Sequence, residues 1–117
     1  MATVIVGIES AGTAILSLDR WTGSSSSYNT VVSYTCPTGK TAILTTLELA
    51  CSNYLVAVFR VTIAGVVMFA DKYLTTHFNP LLSGVRLSAG QTILVEAHSD
   101  GAISIDVDAA IEGREIS

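Results

Sequence analysis

Charge is what this sequence has least of. Asp, Glu, Lys and Arg make up 14% of its 117 residues, against roughly 25% in an average soluble domain. The formal net charge is −4, and the six basic residues, Arg20, Lys40, Arg60, Lys72, Arg86 and Arg114, stand singly. No basic stripe forms, so a nucleic-acid partner is not expected. A long hydrophobic run is also missing, although half of the residues are apolar. The nearest approach to the ~18 residues of a membrane span is residues 55–70, LVAVFRVTIAGVVMFA, broken by Arg60 and Gly65. No membrane partner is expected either. The opening MATVIVGIES has no basic residue before its short apolar stretch and does not read as a secretory signal. A chain this apolar and this poor in charge hides surface in another way, and burial between subunits is the simplest.

Cysteine and histidine are as scarce, with two of each. If 41–50 is one strand at about 3.3 Å per residue, Cys36 and Cys51 lie far beyond the ~7 Å that a disulfide spans. Both are read as free thiols, Cys51 as a buried one, and they are too few to hold a metal alone. His77 and His98 read as rim histidines. His98 shares a strand face with Glu96 and could ligate a metal with it. A cupin-like centre needs more converging ligands, and only His77 remains. Asp106 and Asp108 share a face roughly 6 to 7 Å apart. They could bind Ca²⁺ with a loop carbonyl, but the reading adopted is the solvated face of the last strand. No metal or cofactor is expected.

Catalytic signatures are missing as well. There is no Gly-x-Ser-x-Gly, and neither histidine has an evident nucleophile beside it. A glycosidase pair would need sugar-stacking aromatics, and the single Trp, Trp21, falls in a linker-like region. Gly39-Lys40-Thr41 resembles the end of a phosphate-binding loop. The loop's first glycine is replaced by Tyr34, and a strand-like stretch follows where a helix is required. It reads as a Pro-Gly turn with a solvated lysine. An enzyme is not expected.

What is present is strand grammar. TVIVGI and TAILSL read as extended pieces, followed by WTGSSSSYN (21–29), a Ser-rich loop or linker. Residues 1–29 are therefore taken as an N-terminal arm and linker, and 30–117 as a β-sandwich domain. TVVSYT (30–35) precedes the turn CPTG. In 40–52, Ile43, Thr45, Leu47, Leu49 and Cys51 are assigned to one face, and Ala42, Leu44, Thr46, Glu48 and Ala50 to the other. The competing helix over 42–51 is disfavoured by its threonines. In 54–63, Leu55, Ala57, Phe59, Val61 and Ile63 are assigned inward. An Ala-Gly turn leads into VVMFAD, and LSAGQ leads into TILVEAHS. The Asp-Gly signal in SDG precedes the final strand, with Ile103, Ile105, Val107, Ala109 and Ile111 on one face. About eight short strands with regular turns indicate an all-β protein, an antiparallel β-sandwich or jelly roll.

The series CPTGKTAILTTLELA, VFRVTIAGVVMF and LLSGVRLSAGQTILVEAHSDGAISIDVDAAIEGREI, over 36–116, resembles small β-sandwich virion proteins of tailed bacteriophages. These are the head decoration or cement proteins and related fibre-base modules. The resemblance implies a structural protein of the capsid surface. Its partners would be other copies of itself, most simply as a homotrimer, and the major capsid protein. The family offers no catalytic residues to carry over. The alternative is a carbohydrate or cell-surface binding module of a fibre or tail. Sparse charge suits a cement role, and an arm on a Ser-rich hinge could add a strand to a neighbour's sheet edge.

Overall fold

The structure is a computed structural model that describes residues 12–117. TVIVGI lies outside the described residues. Eight strands follow in order: β1 (Thr13–Gly23), β2 (Asn29–Thr35), β3 (Thr41–Cys51), β4 (Val58–Ile63), β5 (Val66–Tyr73), β6 (Leu81–Leu87), β7 (Thr92–His98) and β8 (Ile105–Ile116). The stretch 42–51 is strand, as its β-branched residues require.

The strands form two four-stranded antiparallel sheets, ordered β1-β8-β3-β6 and β2-β7-β4-β5. First-half strands pair with second-half strands in nested fashion: β1 with β8, β2 with β7, β3 with β6 and β4 with β5. This is one long hairpin of strands rolled up, and the β3–β8 and β4–β7 pairs close each sheet. It is the arrangement of a double-sheet jelly roll. At the tip of the β4–β5 hairpin, Ala64 (φ 51°) and Gly65 (φ 81°) make a two-residue turn with both central residues at positive φ, the geometry that matches strand twist.

β8 follows its sequence pattern. Ile105, Val107, Ala109 and Ile111 are buried and belong to the core between the sheets. Ile103 does not join them: it is exposed, in a turn where the Asp100 carboxylate accepts the N–H groups of Ala102 and Ile103. β3 departs from simple alternation. Its pairing with β8 slips between Leu44 and Thr46, leaving Thr45 as a bulge whose hydroxyl donates to the Glu112 carbonyl. One extra residue exchanges the faces. Ala42 and Leu44 therefore point inward with Leu47 and Leu49, while Ile43 lies on the opposite face.

Other boundaries also shift. Leu55 was expected inward but is 85% exposed. The Asn53 side chain accepts the Leu55 N–H and makes a local turn, so β4 begins only at Val58. Cys36, not Cys51, is the fully buried thiol, and both are free. β6 was not distinguished as a strand in sequence, because Ser83 and Gly84 interrupt it at positive φ. The Ser-rich segment is shorter than its composition suggests, since Trp21, Thr22 and Gly23 belong to β1. β1 pairs with β8 through all of Thr13 to Gly23, so 13–23 sits on the sheet edge of its own chain.

Candidate functional site

Gly39-Lys40-Thr41 is a turn entering β3. Gly39 has φ 80°, and the Lys40 N–H donates to the Pro37 carbonyl. The Lys40 ammonium donates to the Ser117 hydroxyl at 3.1 Å. A strand follows, and among the described residues no helix N-terminus faces this lysine.

Asp106 and Asp108 project from β8 onto the outer face of the first sheet, beside β1. Arg20 grips Asp108 through two hydrogen bonds of 2.7 and 3.0 Å and approaches Asp106 at 3.6 Å. Thr22 donates to the remaining side of Asp106. The hydrogen bond and charge of Asp108 push the Arg20 pKa further up. One cross-strand guanidinium thus engages both carboxylates and offsets one of their two charges. The sequence hid this, because the partners are 88 residues apart.

Glu96 and His98 do share a face of β7, and each is engaged elsewhere. Arg60 of β4 bonds Glu96 at 2.8 Å and stacks on Tyr28 at 4.1 Å. His98 lies edge-on to Tyr28, and its Nδ1 meets the Ser99 carbonyl. The Tyr28 hydroxyl donates to Asp71, which sits at positive φ where the β4–β5 register shifts, and burial first of all raises the Tyr28 pKa. Tyr28 thus ties the Ser-rich segment to the β4–β5 hairpin. Among the described residues, no group of three His, Cys, Asp or Glu side chains could hold a metal ion.

Two clefts remain. The larger, about 390 Å³, is an open depression on the outer face of the first sheet. Its floor is low because Ala50 and Ala110 carry only methyl groups. Leu18, Arg20, Glu48, His77 and Asp108 rise around it, with His77 3.8 Å from Glu48. The smaller, about 220 Å³, lies beside β5 and is lined by Phe69, Lys72, Tyr73 and Phe78 among others. The aromatic residues are spread along the sequence. The fold gathers Phe59, Phe69 and Phe78, with ring centroids 5.1 to 6.5 Å apart. The 78 position is brought in by paired backbone hydrogen bonds between Phe78 and Leu49.

The remaining surface feature is apolar. β5 is an edge strand on which Val66, Val67, Met68 and Tyr73 are exposed. Leu16 and Leu18 of β1 stand out on the outer face of the first sheet at 63% and 66% exposure.

No family model matches this sequence, and no curated protein matches it. Among solved structures, the chain is similar to one from the cyanophage Pam1 capsid asymmetric unit, at a TM-score of 0.53 and 13% identity. The likeness covers 89% of this chain and 86% of that one. At this identity the likeness is one of fold.

Proposed function

We propose that this chain is a structural virion protein of a tailed bacteriophage, a decoration or cement protein of the capsid surface. In this reading it assembles as a homotrimer and stabilises the head through contacts with the major capsid protein. It is not an enzyme, needs no cofactor, and engages neither nucleic acid nor membrane. The observation that carries the reading is the all-β two-sheet fold, similar over most of both chains to one from a cyanophage capsid asymmetric unit. The surface supports it: among the described strands β5 is an edge, with Val66, Val67 and Met68 exposed, which suits burial between subunits. The polar groups singled out in the sequence support it too, being tied to Arg20, Arg60 and Tyr28. The test is reconstitution. Purified protein is mixed with heads of the encoding virus from which it has been stripped. Saturable co-sedimentation and a higher melting temperature of the heads are expected. Heads that neither bind it nor gain stability overturn the reading.

One observation favours the alternative, a carbohydrate-binding module of a fibre or tail. The cleft beside β5 brings Phe69, Phe78 and the exposed Tyr73 together with Lys72, and sugar sites combine such rings with polar groups. Glycan binding that vanishes in Tyr73→Ala would move the assignment to that reading.

A further inference from the structure

The outer face of the first sheet is electrically bipolar. Cross-strand register sets out its rows. At one end Ala14, Arg114, Ile43 and Arg86 lie side by side across β1, β8, β3 and β6. Neither Arg86 nor Arg114 has an ion-pair partner among the described residues. At the other end Leu18, Ala110 and Glu48 form one row, and Arg20, Asp108 and Ala50 the next. There Glu48, Asp106 and Asp108 outnumber Arg20, and among the described residues His77 is the only other basic group facing them. Between the two ends stands exposed Leu16 on β1, with Glu112 beside it in register and exposed Leu18 in the next row.

We propose that this face is a self-association surface, whose partner is a second copy of the same chain laid on it antiparallel. The charge pattern selects the orientation. A twofold axis in the interface and parallel to the strands would place Arg114 near Arg114 and Asp108 near Asp108, and like charges opposed at an interface cost several kcal/mol. An axis perpendicular to the strands turns the basic end of one copy onto the acidic end of the other. With that axis between the Ala110 and Glu112 rows, Arg114 of each copy faces Asp108 of the other, with Glu48 one row and one strand away, within the span of the long arginine side chain. Leu16 then packs on Leu18 of the other copy. The depression over Ala50 and Ala110 receives the long Arg114 side chain. At about 3.3 Å per residue and ~4.8 Å between strands the face measures roughly 700 Å², in the range that each partner of a stable complex buries.

The contact is isologous, so it joins copies in pairs, whether single chains or trimers. It requires no capsid, and its failure is distinct from failure of the virion reading. The experiment is light scattering of the full-length chain, followed across concentration and salt. Arg114→Glu is expected to halve the assembled mass and weaken the pairing by about tenfold or more. Glu48→Arg is expected to do the same. The double variant Arg114→Glu/Glu48→Arg, which exchanges the charges, is expected to restore the mass. Added salt should weaken the wild type. Circular dichroism melts establish that each variant is folded, and if Arg114→Glu does not fold, Glu48→Arg and the salt series carry the test. Three outcomes overturn the proposal: a wild type with no paired species, single variants that assemble as the wild type does, and a folded double variant no better than the singles.

Discussion

Gly113 on β8 passes so close to β3 that a Cβ added to it would sit 2.2 Å from the Ile43 carbonyl oxygen. The contact is backbone against backbone, next to the Thr45 bulge, so no side chain can swing away. Gly113→Ala must push the two strands apart where β3 changes faces. A loss on the order of 1–3 kcal/mol is expected, as for other overpacked sites, measured by urea denaturation. A loss under ~0.5 kcal/mol, the size of an ordinary surface change, would show that β3 and β8 do not meet in this register.

That bulge also marks where the sequence stopped being legible. The alternation in β7 and β8 read directly, because Ile93, Val95, Val107 and Ile111 all face one core. In β3 the apolar residues Ala42, Ile43 and Leu44 are consecutive, and Leu47 and Leu49 follow two threonines. Either face could have been the inner one, and only the partner strand decides where the extra residue sits. The polar candidates show the same limit. Asp106 and Asp108 could be placed on one face from spacing alone, but Arg20 reaches them from the other end of the chain. The gathering of Phe59, Phe69 and Phe78 was equally hidden, since it depends on the pairing of Phe78 with Leu49.

Tyr34 gives a prediction at alkaline pH. Its hydroxyl donates to Glu115, and burial followed by that bond raises its pKa well above the usual tyrosine value. The folded state therefore holds the proton more tightly than the unfolded chain, whose tyrosines titrate near pH 10. The stabilisation is fully present below about pH 10 and is lost as the pH rises above it. Urea midpoints of the wild type should fall as the pH rises above about 10, through Tyr34 together with Tyr28, whose pKa is also raised. In Tyr34→Phe the fall should be shallower. Identical slopes for the two proteins would show that this hydroxyl is not held in the folded state.

Lys40 separates a turn from a nucleotide site. Its ammonium touches the Ser117 hydroxyl at the surface. Lys40→Ala should change stability by no more than about 0.5 kcal/mol, as surface substitutions do. Calorimetric titration of the wild type with ATP and Mg²⁺ should show no heat of binding. Saturable binding that disappears in Lys40→Ala would reverse the reading of Gly39-Lys40-Thr41.

Deletion of residues 1–22 tests whether the N-terminal segment is an arm or part of the body. Among the described strands, β1 is the outermost of its sheet and is hydrogen-bonded to β8 alone. That position allows a detachable arm. Its side chains argue for integration: Ile15 is buried in the core, and Trp21 packs against it. Burying one large apolar side chain contributes about 1.5–3 kcal/mol, and a domain of this size has roughly 5–15 kcal/mol in total. Losing β1 also leaves β8 as a long unpaired edge, the kind that invites aggregation. The truncated protein is therefore expected to keep a β-rich circular dichroism spectrum at low temperature, with a clearly lower urea midpoint and a tendency to aggregate. A truncated protein with the full-length midpoint and a sharp transition would mean that residues 30–117 fold as a unit. β1 would then be a docked arm, free to serve assembly rather than the fold.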